Sequence, residues 1–238
     1  MNDYVDLHTH TIASGHAYST IEAMIKAAEQ KGIRLFGITE HAPKMPGTCS
    51  ELYFNNLRVL ERKHGEMYTL FGAELNIMDM EGHVDLPERT LKQMDLCVAS
   101  MHGPCFHPGT IEENTKTYLN VMKNPYVNII GHPDDGRYEI DYPALVQGAR
   151  EYGKVLELNN HSLEPSCFRQ GAKENDTEML KLCMKYQVPV VMSSDAHFDS
   201  AINEFESARS LLEELNFPEE LVLNRSAEAL KPFVNRKF

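Results

Sequence analysis

A chain of 238 residues, 42% of them hydrophobic, has material for one full core or two small ones. Its 35 acidic against 23 basic residues leave a formal net charge of −12, which argues against a general nucleic-acid binder, since that would need a basic face. Five cysteines without a Cys-x-x-Cys pair, no leader-like head in residues 1–20, and no apolar run near the ~18 residues of a membrane span point to a reduced, cytoplasmic protein away from the bilayer.

The predicted elements alternate strand and helix from end to end. Val5 and Leu7 alternate with Asp6 and His8, the period of two that marks a strand, so His8 and His10 leave its end on one side. His16 follows on the next loop. Ser19 and Glu22 have capping-box spacing, and Ile21, Met24, Ile25 and Ala28 then share one helical face that stops near Gly32. Residues 35–41 form an apolar strand ending in His41. A loop with Pro43, Pro46 and Gly47 leads to a helical segment over residues 50–64, where His64 before Gly65 suits a helix end and its dipole. Residues 70–74 read as a strand ending in Glu74, and residues 95–102 as one ending in His102. Between them, His83 lies in a polar stretch and reads as a surface residue.

Thr110 and Glu113 cap the next helix, with Tyr118, Leu119 and Met122 on its inner face. Residues 127–132 are a strand ending in His132. Asp141 and Pro143 open a helix through Tyr152, proline being tolerated in a first turn. Residues 155–160 form a strand ending in Asn159 and Asn160. A helix from about residue 175 to 186 precedes a strand over 188–197 that carries Asp195 and His197. Helices near 201–216 and 226–235 close the chain.

Near-continuous apolar strands suit a parallel sheet buried on both faces. Seven β/α units without a composition break predict one α/β domain over residues 1–238, a closed or nearly closed barrel of TIM-barrel type. Active sites of such barrels lie at the C-terminal ends of the strands. Six of the seven strands carry His, Glu or Asp at or just after that end.

The set is His8, His10, His16, His41, Glu74, His102, His132, Asp195 and His197. Each residue alone is as readily a polar side chain at a strand terminus. Together, drawn from distant segments to one barrel mouth, they read as metal ligands. Imidazoles with a few carboxylates suit zinc, and also manganese or iron. At about three protein ligands per catalytic ion, nine ligands with a bridging carboxylate give roughly three divalent metal ions. Glu74 and Asp195 are the candidate catalytic carboxylates. His107 and His161 follow strands and are candidate substrate contacts. Arg169 is a candidate phosphate clamp, because guanidinium is a bidentate donor. Asn160 holds the strand position where other strands supply ligands and is a candidate to hydrogen-bond substrate or a metal-bound water.

The motifs Asp6-Leu7-His8-Thr9-His10, Ile38-Thr39-Glu40-His41, Glu74, His102, Gly131-His132-Pro133 and Ser194-Asp195-Ala196-His197 resemble those of the PHP (polymerase and histidinol phosphatase) family. The resemblance runs from about residue 4 to 197 and is most marked toward the YcdX-like stand-alone bacterial phosphatases. It implies a distorted (β/α)7 barrel with a trinuclear, usually zinc, centre. On that pattern His8, His10, Glu74 and Asp195 hold one metal, Glu74 bridges to a second held also by His102 and His132, and His16, His41 and His197 hold the third. Where YcdX-like members commonly continue Asn-Asn-Ser, this chain has Asn159, Asn160 and His161, a departure that bears on substrate choice.

The chemistry expected of such a site is hydrolysis of a small phosphomonoester. Metals neutralise the phosphate dianion and supply a bridging hydroxide for in-line attack. A metal-dependent amidohydrolase remains the enzymatic alternative, although such enzymes often carry a lysine at a strand end and none does here. A non-enzymatic metal-binding module is the alternative of a different class. A nuclease or proofreading role, also known in the family, fits poorly with an acidic chain.

Overall fold

Residues 5–238 are described in this computed structural model. The strands are β1 (Val5–Asp6), β2 (Leu35–His41), β3 (Lys63–His64), β4 (Met67–Asn76), β5 (Cys97–Ser100), β6 (Ile129–Ile130), β7 (Val155–Asn159) and β8 (Val190–Ser193). All but β3 are parallel and neighbour one another in chain order, so a single sheet curls into a nearly closed seven-stranded barrel. The helices are α1 (Ile21–Gln30), α2 (Glu51–Asn56), α3 (Glu88–Leu91), α4 (Ile111–Met122), α5 (Tyr142–Tyr152), α6 (Ala172–Tyr186), α7 (Glu206–Glu214) and α8 (Ala227–Leu230). Among the described residues no helix is long and apolar enough to cross a membrane.

Alternation along the strands sorts the core into two layers. Phe36, Ile38, Phe71, Ala73, Leu156 and Leu158 pack outward with helix residues such as Met24, Tyr118, Leu145 and Met179. Leu35, Leu70 and Val155 belong to an inner cluster closed at the floor by Leu223 and Leu230. The same inward rows, followed toward the strand ends, reach His41, Glu74 and Glu157. An apolar floor and a polar mouth are therefore two ends of one set of side-chain rows. Where β4 runs alongside the start of β5 the backbones come very close. A Cβ built on Gly72 would lie 1.9 Å from the Leu96 carbonyl oxygen.

The ring is least complete between its first and last strands. Thr9 and Ala196 form an isolated parallel bridge, and the His10 amide donates to the Ala196 carbonyl at 2.8 Å. Below that point side chains take over. Asn224 accepts from the Met192 amide at 2.7 Å and donates to the carbonyls of Val5 (2.9 Å) and Met192 (2.8 Å). Asp6 accepts from the Ser194 hydroxyl at 2.5 Å and the Asn203 amide at 2.9 Å.

Local departures from the sequence reading have local causes. The segment 50–64 is not one helix. α2 ends at Asn56, a 3-10 turn covers Leu57–Val59, and Lys63 and His64 fold back on Met67 and Tyr68 through Gly65 at φ 54°. His64 therefore sits in a hairpin, not at a helix end. The cap of α1 is Thr20, which accepts from the Ala23 amide, whereas Ser19 accepts from the Asp199 amide. α6 starts at Ala172 after Gly171 in the left-handed region, and α7 spans only Glu206–Glu214. The capping box of α4 and the Asp141 cap of α5 are formed as predicted.

Candidate metal centre

Glu74, buried at the end of the inward row of β4, is the centre of the site. Five imidazole nitrogens surround its carboxylate: His41 Nδ1 at 2.6 Å, His132 Nε2 at 3.0 Å, His102 Nε2 at 3.1 Å, His8 Nε2 at 3.4 Å and His10 Nε2 at 3.6 Å. Asp195 stands on the other side of His8 and His10, at 3.7 and 3.4 Å. His16 Nε2 lies 3.2 Å from His41 Nε2, and its ring is 4.9 Å from that of His197. All nine predicted ligands thus meet at one mouth. His132 and Asp195 hold φ values of 28° and 54°, a conformation non-glycine residues seldom adopt and one that concentrates at functional sites.

The ring orientations are set from behind. His8 Nδ1 meets Glu157 Oε1 at 2.7 Å, His10 Nδ1 meets the Ser14 hydroxyl at 3.0 Å, and His102 Nδ1 meets Asn76 Oδ1 at 2.7 Å. Ser14 in turn donates to Glu40 at 2.6 Å. Glu157 also accepts from the His132 amide at 2.7 Å, so one carboxylate holds the His8 ring and the backbone of His132. None of these supports was singled out from sequence. For Glu157 the signal was present: a carboxylate within the apolar run of β7 is costly to bury unless it has a partner.

Charge at the site is finely opposed. Burial alone would push the Glu74 carboxyl up, but His102, His41 and His8 hold it well below the ordinary range. Burial would likewise raise Glu157, yet His8 keeps it low. For His8, burial lowers proton affinity, and Glu157, Glu74 and Asp195 together raise it well above the usual value. His10 moves well down through burial and its neighbours His41 and His197.

The donor set fits divalent metal. His8 Nε2, His10 Nε2, His41 Nδ1 and Glu74 Oε2 are buried without a hydrogen-bond partner, although they face one another. Three overlapping triads have ligand atoms within 4.8 Å: His10, His41 and His197; His8, His10 and Glu74; and His41, Glu74 and His102. Nitrogens aimed inward, with the other nitrogen of His8, His10 and His102 held by an acceptor or hydroxyl, form the arrangement metal-binding histidines use. The triads differ from the grouping expected by resemblance: His10 and His41, like Glu74, each belong to two of them, and His16, His132 and Asp195 belong to none.

The other predicted contacts divide. Arg169 is buried and lines the cavity above the cluster, donating to Asp195 at 2.9 Å, Ser162 at 2.9 Å and Asn159 at 3.2 Å. His161 lines the same cavity, paired with Glu164 at 3.1 Å. Asn160 does not reach it. Its Oδ1 accepts from the Ala208 amide at 3.0 Å, and the residue ties the end of β7 to α7. His107 is exposed and lies outside the cavity wall, because the chain after His102 turns away toward the α4 cap. Behind Arg169, Asp134 and Asp176 are wholly buried, and burial pushes both carboxyls up.

Comparison with known proteins agrees with this geometry. The PHP domain model matches residues 6–217. A protein of Caldicellulosiruptor saccharolyticus named a probable phosphatase is 46% identical over 97% of this chain and 95% of its own length. One of Clostridium novyi, also named a probable phosphatase, is 43% identical over 100% of this chain and 96% of its own. Among solved structures, histidinol phosphate phosphatase from Lactococcus lactis, complexed with zinc, L-histidinol and phosphate, superposes with a TM-score of 0.62. That superposition covers 91% of this chain and 95% of the other at 18% identity, a likeness of fold. With the barrel, the histidine cluster and a matched span of this length, the chain belongs to the PHP domain family.

Proposed function

We propose that this protein is a metal-dependent phosphatase acting on a small phosphomonoester, with three divalent ions, zinc foremost, held by His8, His10, His16, His41, Glu74, His102, His132, Asp195 and His197. The observation that carries this reading is Glu74 ringed by five imidazoles whose inward nitrogens have few protein partners. When bound, such ions neutralise phosphate oxygens and make water a nucleophile at neutral pH.

The chain's own residues do the rest. Glu74 and Asp195 keep cations together that would otherwise repel. Glu157, Ser14 and Asn76 fix the tautomers of His8, His10 and His102 so that lone pairs face inward. Arg169, held by three side chains, presents a fixed positive charge to a dianion at the cavity floor. The relatives' names and the zinc and phosphate of the Lactococcus lactis complex support the same chemistry. An amidohydrolase reading loses support because no lysine lines the cavity among the described residues.

Metal-loaded protein should release phosphate from an aryl phosphate and leave amides and carboxylic esters intact. Elemental analysis of protein purified without chelator should give about three metals per chain. No phosphate release, or a reproducible content of one metal or fewer, would overturn the respective half of the proposal.

A further inference from the structure

The cavity over the cluster encloses about 690 Å³, within the range of pockets that hold drug-sized ligands and well beyond what a phosphate group needs. Its rim has an unusual composition. Three aromatic side chains are strongly exposed among the described residues, Tyr18, Phe168 and Phe198, at 75, 65 and 49%. All three line this one cavity, although they come from three separate loops. Exposed aromatic rings gathered at a mouth are a binding feature more than a packing one.

Phe168 is held in place while remaining exposed. Arg137 lies with its guanidinium 4.7 Å from the ring centroid, and its Nε donates to both oxygens of Asp135 at 3.0 Å. Arg169, the next residue, reaches down to Asp195. One short loop thus links a backed aromatic face at the rim to the charge at the floor.

Several polar side chains of the rim already have partners within the protein. Arg137 is taken by Asp135, His161 by Glu164, and Glu204 by Lys31 at 2.9 Å. The Ser194 hydroxyl is spent on Asp6. A sugar or polyol in this space would give up hydrogen bonds to water and find few unengaged side chains to replace them. A planar ring would lose nothing of that kind and would gain a stacking face.

Resting on the phosphatase reading above, we infer that the leaving group of the preferred substrate is an alcohol bearing a planar, fused aromatic ring, and that Phe168 is the residue selecting it. The probes are 2-naphthylmethyl phosphate, cyclohexylmethyl phosphate and glycerol phosphate, alcohol esters that differ in ring planarity and polarity. Wild-type protein should favour the naphthyl ester over the cyclohexyl ester by about tenfold in kcat/KM, as a single stacking contact allows. Phe168→Leu, which keeps apolar bulk and loses the plane, should bring that ratio close to one, chiefly through KM. Phe198→Leu should reduce it partially.

A calorimetric titration with the corresponding naphthylmethyl and cyclohexylmethyl phosphonates tests recognition without turnover and should show the same order. Equal binding of the two phosphonates by wild type, or a ratio preserved in Phe168→Leu, would overturn the inference. Failure to cleave any of the three esters, with the phosphonate preference intact, would overturn the phosphatase reading and leave the aromatic subsite standing.

Discussion

Replacing Glu157 by Gln alters one buried atom and should cripple the centre through a proton. Glu157 Oε2 accepts from both the His132 amide and Asn159 Nδ2, at 2.7 and 3.1 Å, so a glutamine must keep its oxygen there. Its amide nitrogen is then turned to His8 Nδ1, 2.7 Å away in the wild type. Two donors cannot face each other, so His8 must accept at Nδ1 and carry its proton on Nε2. That proton points at Glu74 and Asp195, 3.4 and 3.7 Å away, where a metal ligand must offer a lone pair. Losing a charge-assisted hydrogen bond in a buried site costs about 1.5–3 kcal/mol, or roughly 10- to 100-fold in affinity.

The assay pairs elemental analysis and phosphate release with a thermal melt. Glu157→Gln should bind metal about 10- to 100-fold more weakly at the site His8 serves and lose activity in proportion, while remaining folded. A folded variant with full metal content and turnover within about twofold of wild type would refute the tautomer argument.

Three further outcomes are expected. Glu74→Gln keeps the shape but removes the charge that lets two dications sit close, so a folded variant should lose metal and nearly all turnover; near-normal rates would remove Glu74 from the site. His16→Ala, which deletes the ring 3.2 Å from His41, should release about one metal and reduce rate ~10²–10³-fold while keeping turnover above that of metal-free protein; unchanged metal and rate would make His16 an ordinary loop residue. Gly72→Ala forces a methyl against the Leu96 carbonyl and should destabilise the barrel by about 3 kcal/mol or more in denaturant titration, and an unchanged midpoint would contradict the close strand approach.

The sequence reading and the structure meet where position along a strand determines role. An apolar run announces a buried strand, its end announces the barrel mouth, and histidines or carboxylates at several such ends at once are hard to attribute to accident. His41, Glu74, His102 and His132 were legible for that reason. Asn160 and His107 follow the same rule and depart from it, because orientation beyond the strand end is set by the loop: one turns its side chain to the Ala208 amide, the other lies on the way to α4. Glu157 was missed because a charge inside a strand signals that it has a partner without saying which residue that is. Residues 57–64 misled because helical spacing of apolar side chains does not register the turn at Gly65.

The seam between β1 and β8 has a consequence for the order in which this molecule comes into being. Asn224 holds the two strands together through the Val5 carbonyl, 219 residues away in the chain. In chain order His8 and His10 come far before Asp195 and His197, and the asparagine that fastens them comes later still. Contacts of such separation are slow to form, since the intervening chain must be ordered before they stabilise anything. Seven of the nine candidate ligands precede residue 133, and Asp195 and His197 join them only across this seam. The cluster is complete when the turns around Asn224 dock and the ring is shut.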